Sequence, residues 1–363
     1  MPLTTFAVGA PAVAGFRTHT NNWNTTNTGV ALTTGDALEF LLDGAPTTKP
    51  VYAENASVYG GVGVQRAGLG ASKLEWEGPV KFNGMFLSAL SRFFALFFGT
   101  ETTASLGSGA YSHLFTLAVN SQLVGNFAWI DNLLCHDIPM CKVQSLEFEF
   151  EAGQIPTVTV GLIGKRELTD GSGSNTLAGM TTTAITFPSQ PAIRYPLLSS
   201  GVSTFRLNTA SGALLASGDA MNPSGIKLSF QRKMEKRFTN LNTPYCDEPV
   251  CGGWFEIGGS MTFPTIAAAA EWNRIVGQTE CKLDVEFTGS TIGGGITYEW
   301  FFEFPSIFPT GDGAPKPSGP NLLGYELPFI AYSAISHPSG MSFALPRFTV
   351  TDNVSADHGT NGV

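Results

Sequence analysis

Only 13% of the 363 residues are charged, about half the share in an average soluble protein, and the formal net charge is −9. The low charged fraction and the negative net charge argue against a nucleic-acid-binding surface, because binding to phosphates requires clustered Lys and Arg. They do not exclude a surface that DNA passes without binding. The length suffices for two domains with a core each, and the large uncharged surface indicates burial against partners.

The N-terminal residues 1–54 are rich in Thr, Asn, Gly and Ala and show weak periodicity, so we interpret them as an extended arm or loop region. The chain does not open with a basic region followed by a long apolar stretch, and no signal peptide is expected. The most apolar run, residues 86–98, is too short to span a bilayer and contains Arg92. No membrane partner is therefore expected.

A strand-then-helix unit follows the arm. Alternating residues predict a strand over 58–64 and a neighbouring strand over 73–82. Apolar residues at helical spacing predict a helix over 86–98 that ends near Gly99 and packs on a sheet. The remaining helix face predicts a narrow polar strip directed outward, formed by Ser88, Ser91, Arg92 and Ala95.

The same unit recurs about half a chain later. Its second copy is a strand over 255–263 and a helix that begins after Thr265 and ends at Gly277. In this alignment Glu75 matches Glu256, and Phe82 matches Phe263. Strands over 280–288 and 296–304 follow, joined by a turn at residues 293–295. The repeat predicts two similar modules in one chain.

The composition between the copies gives the domain boundaries. Residues 169–179 are polar, rich in Gly and Ser and without an apolar period, which is typical of a linker. We therefore predict a mainly β fold with a first domain over 55–168 and a second over 180–350. The polar tail over 351–363 is expected to be mobile.

Few residues in the sequence indicate a disulfide, a metal site or a catalytic site. The five cysteines are an odd number, so free buried thiols are the default expectation, while local disulfides within Cys135/Cys141 and Cys246/Cys251 stay open. The five histidines are scattered without ligand spacing, and no nucleotide-binding or nucleophile motif is present in the sequence. We expect no enzyme activity, cofactor or metal.

Carboxylates occur in strand alternation, and the most regular row is Leu146, Glu147, Phe148, Glu149, Phe150 and Glu151. A period of two places the glutamates on one face of a strand and the apolar residues on the other. Like charges in a row are poorly suited to setting one catalytic acid against one base, as a glycosidase requires. The row is either an ordinary solvated face or the acidic wall of a channel, and both interpretations stay open here.

Three segments come in a characteristic order: 111–116, which contains His-Leu-Phe-Thr; 141–153, which contains Lys-Val-Gln-Ser-Leu and ends in Gly; and the alternating 157–165. This order resembles the tail tube (major tail) proteins of long-tailed bacteriophages. Residues 226–305 likewise resemble the second half of that family, with a Gly-containing strand, a helix and two closing strands. The resemblance covers about residues 55–305.

The resemblance implies two tandem tail-tube-like β-sandwich or barrel domains, each with one flanking α-helix. It also implies a structural virion protein that forms stacked rings, and so a conduit for DNA ejection. Tape-measure and tail-terminator proteins would be partners, and assembly would take place in the host cytoplasm. Because the strand-then-helix unit is duplicated, a ring of three chains with pseudo-sixfold symmetry is favoured over a hexamer.

In such a tube, Glu147, Glu149 and Glu151 are predicted to line the lumen. Three like charges in a dry subunit contact would be costly, whereas an acidic wetted wall repels the DNA polyanion and limits friction. Contacts between rings are expected from the N-terminal arm, first of all around Phe16 and Trp23.

Two other classes compete with this interpretation. One is a different virion β-protein, such as a baseplate or fibre component, or a carbohydrate-binding module. Exposed clustered aromatics would favour it, but four tryptophans lie in elements predicted to be core: Trp76, Trp254, Trp272 and Trp300. The other is a hydrolase with an unrecognised carboxylate site, which the rows of like charge disfavour.

Overall fold

A computed structural model describes residues 14–20, 23, 29–33, 35–41, 49–53, 70–118, 123–131, 134–169, 172–182, 192–199, 201–238, 244–264, 273–274, 277–310 and 325–359. The protein is mainly β, as the alternating sequence predicts. The predicted strand over 58–64 and most of the predicted helix over 265–277, including Trp272, lie outside the described residues.

The strands of the first half are β1 (Ala14–His19), β2 (Ala37–Leu38), β3 (Phe40–Leu41), β4 (Lys49–Ala53), β5 (Gly70–Asn83), β6 (Gly99–Gly107), β7 (Ala110–Leu117), β8 (Val124–Ile130), β9 (Cys135–Glu151) and β10 (Thr157–Gly164). Helix α1 (Ser88–Phe98) lies between β5 and β6.

The second half begins with helix α2 (Leu177–Thr182) and continues with β11 (Ser203–Thr209), β12 (Ala220–Met221), β13 (Gly225–Glu235), β14 (Val250–Phe263), β15 (Cys281–Gly293), β16 (Ile296–Pro309), β17 (Tyr325–Tyr332) and β18 (Arg347–Asp352). The predicted turn between β15 and β16 is confirmed, and Gly294 and Gly295 adopt the positive φ angles that such a tight turn requires.

The strands form two facing layers, and every pairing is antiparallel. We call β5-β10-β9-β13-β14-β17 the first layer. The second layer is β11-β15-β16-β18-β7-β6. The end of β16 also pairs with β17, which joins the layers at one side. This is a β-sandwich with helix α1 beside it.

One core lies between the layers and is built by both halves of the chain. The ring of Phe148 in β9 lies 5.1 Å from that of Phe302 in β16, and Phe302 stacks on Phe348 at 4.1 Å. The ring of Phe94 in α1 lies 4.9 Å from that of Phe348. Each layer contains strands from both predicted domains, and one cluster of buried residues includes side chains from both. The division into domains over 55–168 and 180–350 stays a prediction.

The predicted duplication corresponds to similar surroundings of β5 and β14. Each pairs with the strand before it in the described chain and, on its other edge, with a later strand: β10 for β5 and β17 for β14. The buried positions also match at the same spacing: Trp76, Val80 and Phe82 in β5, and Ile257, Met261 and Phe263 in β14. Common descent of the two halves stays a prediction.

The predicted linker is held by a buried carboxylate. Asp137 in β9 accepts hydrogen bonds from the backbone N–H groups of Ser174 at 2.8 Å and Asn175 at 3.1 Å. Its other oxygen accepts from the side-chain amide of Asn126 at 2.6 Å. Burial raises the pKa of Asp137, and these hydrogen bonds oppose that effect. Part of the segment 169–179 is thus anchored to the first half.

Helix α1 corrects one expectation. It ends as predicted at Gly99, which has φ 85°, but Ser91, Arg92 and Ala95 are buried, so no polar strip faces solvent along them. Arg92 is neutralised inside the protein by Asp36 and donates a hydrogen bond to the carbonyl of Phe16 at 2.8 Å. A partner distant in sequence makes this burial possible.

Both described ends of the chain pack inward. Phe16 in β1 is fully buried and stacks on Phe93 with ring centroids 3.9 Å apart, and Trp23 is buried with its indole N–H donating to the carbonyl of Cys246. Beyond Thr351, where a mobile tail is predicted, β18 continues to Asp352 and His358 is buried. Neither end is a free arm within the described residues.

None of the five cysteines, all of which lie in the described residues, forms a disulfide, and all except Cys251 are buried. The default expectation of free thiols is confirmed, and neither local disulfide forms. Burial raises the pKa of Cys246 to about 11, so its thiol is protonated at neutral pH. Among the described residues, no helix has the length and hydropathy to cross a membrane.

Candidate functional site

The outer face of the first layer is polar and continuous across both halves of the chain. One row of residues across its six strands reads Asn83, Thr157, Glu149, Lys227, Ser260 and Pro328. The next row reads Lys81, Thr159, Glu147, Ser229, Gly258 and Ile330. Most of these side chains are small and uncharged, and four carry a charge: Lys81, Glu147, Glu149 and Lys227. We call this surface the polar face.

Glu147, Glu149 and Glu151 lie on the polar face, as their spacing predicts. Glu147 and Glu151 are exposed, whereas Leu146, Phe148 and Phe150 on the other side of β9 are buried in the core. The apolar side fixes the register, since a slip by one residue would bury the glutamates. The three glutamates therefore lie close together on one solvated surface.

A cation lies beside this row, Lys227, which the sequence patterns did not single out. Its Nζ lies 2.6 Å from Oε1 of Glu149, and the side chains of Lys227 and Glu149 are 62% and 39% exposed. The hydrogen bond to Glu149 raises the pKa of Lys227, so the lysine stays charged. Alternation of Lys227, Ser229 and Gln231 with buried residues marks β13 as amphipathic, but only the β9–β13 pairing places Lys227 next to Glu149.

On these two rows Glu147 and Glu149 balance Lys81 and Lys227, and the acidic excess comes from neighbouring positions, first of all Glu151. Register adds Glu256 opposite Gln231 and Glu326 opposite Thr262. A shallow cavity of about 450 Å³ lies where the two halves meet, lined by Gln144, Ser145, Gln231, Arg232, Lys233 and Glu256. The polar face is thus acidic in balance, with lysines interspersed.

A second polar cluster lies inside the protein, on the second layer. Glu101 in β6, His113 in β7, Asp352 in β18 and His358 in the segment after it form a ring of ion pairs, with each side chain at most 5% exposed. The four contacts measure 2.8 to 3.1 Å. We call these four residues the buried histidine cluster.

Electrostatics in this cluster favour the ionised forms. Burial opposes ionisation of Glu101, but hydrogen bonds from His113 and His358 lower its pKa to about 2. Burial likewise opposes protonation of His113, yet its hydrogen bonds to Asp352 and Glu101 raise the pKa to about 9. The five histidines are scattered along the sequence, but the antiparallel pairing of β7 with β18 brings His113 and His358 together, with ring centroids 4.2 Å apart.

The tryptophans divide between the core and the surface. Trp76 and Trp300 are buried, as predicted. Trp254 is 90% exposed, so its assignment to the core is wrong. Alternation in β14 with the half-buried Phe255 and the buried Ile257 places Trp254 on the same exposed side of the strand as Glu256. An exposed indole of this size is typical of a contact surface.

A family model described as phage tail tube protein matches residues 4–331, most of the chain. The chain belongs to the phage tail tube protein family. This confirms the family resemblance and makes the chain a structural component of the virion tail. A comparison of this tail tube protein with curated proteins gave no match.

Proposed function

We propose that this tail tube protein polymerises as stacked rings and that the polar face of the first layer forms the wall of the lumen. The observation that carries the proposal is the β9–β13 pairing. It joins the sheets of the two halves, so one chain presents six adjacent strands with one solvated face. Neighbouring chains in a ring would extend that wall around the axis.

The charge of the polar face suits a conduit for DNA. Each lysine or arginine that neutralises a phosphate adds affinity and slows passage. Here Lys227 is paired with Glu149, and Glu147 and Glu151 remain beside it. A wall that is acidic in balance repels DNA toward the axis, where it can pass without specific binding during ejection.

Three chains per ring are favoured over six. The strands β5 and β14 have similar neighbours and the same spacing of buried residues, so one chain offers two similar lateral units. Three such chains would give pseudo-sixfold symmetry. Tape-measure and tail-terminator proteins are the further partners that this role implies, with assembly in the host cytoplasm.

Contacts between rings need exposed groups, and the structure favours Trp254 over the N-terminal candidates. Phe16 and Trp23 are core side chains, so they could reach another ring only by leaving the core. Trp254 is already exposed, and a contact with another ring would bury the apolar surface of its indole.

Electron microscopy of the purified full-length chain tests the proposal. Samples at increasing protein concentration should show rings and then tubes, and a cryo-EM reconstruction should resolve three chains per ring with the polar face inward. Compact single particles at all concentrations would favour another virion β-protein. Tubes with the polar face on their outside would refute the lumenal assignment while leaving polymerisation intact.

A further inference from the structure

The two histidines of the buried histidine cluster turn the same ring atom toward the same carboxylate oxygen. Nδ1 of His113 lies 2.9 Å, and Nδ1 of His358 lies 2.8 Å, from Oε1 of Glu101. Ligand atoms of these three residues all lie within 4.8 Å of one another. A tetrahedral ion with bonds of about 2.0 Å separates its ligand atoms by about 3.3 Å, so small adjustments would suffice to admit one.

The other nitrogen of each ring, Nε2, already makes the carboxylate contact that a metal-bound histidine usually makes. Nε2 of His113 lies 3.1 Å from one oxygen of Asp352, and Nε2 of His358 lies 3.0 Å from the other. Histidines that bind a metal through one nitrogen usually donate the other N–H to a carboxylate, which fixes the ring orientation. Asp352 does this for both rings at once.

We propose that Glu101, His113 and His358 bind one Zn²⁺ ion, with Asp352 as the carboxylate that orients both imidazoles. Two imidazole nitrogens and one carboxylate oxygen are a donor set that zinc accepts in tetrahedral geometry. The hydroxyl of Thr103, 3.0 Å from Nδ1 of His113, stands beside the fourth position, which it or a water molecule fills.

The charges balance in the bound form. The ion takes the place of the proton on Nδ1 of each ring, and the two protons pass to solvent. Zn²⁺ with two neutral imidazoles then carries the same charge as two imidazolium rings. The carboxylates of Glu101 and Asp352 neutralise this positive charge, whether the zinc ion or the two imidazolium protons supply it.

The ion would have a structural role. It would link β6, β7 and the segment that follows β18, and the backbone oxygen of His358 is also tied to β1 by the hydroxyl of Thr18 at 2.6 Å. Since the three ligand side chains are at most 5% exposed, the metal would enter during folding and exchange slowly. This inference does not depend on the arrangement of the rings.

Elemental analysis of the full-length protein, expressed with added zinc and dialysed against buffer, tests the site. We expect about one zinc per chain in the wild type, as in a structural site. His358→Gln should lose it, whereas His337→Gln, which changes an exposed histidine, should keep it. His136→Gln is a second control, because that histidine also contacts two carboxylates, Asp131 and Glu167, but forms no group with a second histidine among the described residues.

Because His358→Gln could fail to fold, the wild type is also refolded with Co²⁺ as a spectroscopic probe. An intense visible d–d spectrum of four-coordinate cobalt with histidine nitrogen ligands would support the site. A wild-type protein without zinc and without that spectrum would overturn the proposal and leave the cluster as a ring of protonated histidines and carboxylates. Zinc retained in a folded His358→Gln variant would overturn it as well.

Discussion

The guanidinium of Arg92 in helix α1 and the carboxylate of Asp36 form an ion pair from which solvent is excluded, with side-chain exposures of 2% and 0%. The pair lies where the helix contacts β1, and Asp36 also accepts a hydrogen bond from the backbone N–H of Thr33 at 2.6 Å. The pair lets α1, which has no other charged residue, be buried on nearly every side although it contains a cation.

Removing one partner of this pair should destabilise the protein strongly. Asp36→Ala leaves the Arg92 charge buried, and we expect the free energy of unfolding to fall by about 3–5 kcal/mol. Lys227→Ala, which breaks an exposed pair with Glu149, should change it by at most about 1 kcal/mol. Chemical denaturation measures both values, and equal small losses would contradict the role of Asp36.

Deleting residues 1–25 should impair the folding of the protein and not merely shorten the tubes. The deletion removes β1 with Phe16, and Phe16→Ala by itself should cost about 3–5 kcal/mol because the ring is fully buried against Phe93. Thermal unfolding of the point variant and circular dichroism of the deletion check this. Stable rings that merely fail to stack would instead restore the arm as a contact between rings.

Trp254→Ala should reduce assembly without lowering the stability of the monomer. The indole is 90% exposed, so its removal takes little from the core, while truncation of an aromatic in the centre of an interface costs about 2 kcal/mol or more of binding. The critical concentration for tube formation, measured by light scattering, should rise. Trp254→Phe should recover part of the wild-type value, and an unchanged concentration in both variants would exclude Trp254 from the contacts.

Charge on the polar face should control DNA ejection. Phage in which Glu147, Glu149 and Glu151 are all changed to Lys should assemble tails but eject DNA slowly at low salt, with partial recovery as salt screens the attraction. A matched pair of variants separates the effect of position from the effect of net charge. In the first variant the three glutamates are changed to Gln, and in the second Ser105, Ser211 and Ser217 are changed to Lys. Both raise the net charge equally, yet only the glutamine variant alters the face. Wild-type ejection kinetics of the triple lysine variant at every salt concentration would count against a lumenal position.

His136 should make stability depend on pH. Its hydrogen bond to Glu167, followed by that to Asp131, raises its pKa above the ordinary value, and the ring stacks on Trp129 at 4.1 Å. A raised folded-state pKa stabilises the protein fully below the unfolded value of 6.5, and this contribution is lost as pH rises through the folded value. The stability difference between wild type and His136→Gln should therefore be largest below pH 6.5 and shrink at higher pH. A difference that grows as pH rises would reverse the assigned sign.

Local patterns in the sequence determined which faces of the strands are buried. Alternation across residues 146–151 places Phe148 in the core and Glu147 and Glu149 outside, and helical spacing with Gly99 defines the end of α1. These features follow from neighbours two to four residues away, which any sequence displays directly. The order of short strand motifs was enough to indicate the family.

Only the tertiary structure decided which distant residues meet. The β9–β13 pairing brings Lys227 to Glu149, the β7–β18 pairing brings His113 close to His358, and packing of α1 on β1 brings Arg92 to Asp36. Strand order and register set these contacts, and no local periodicity encodes strand order. A buried charge therefore looks like a surface charge in the sequence until the fold supplies its partner.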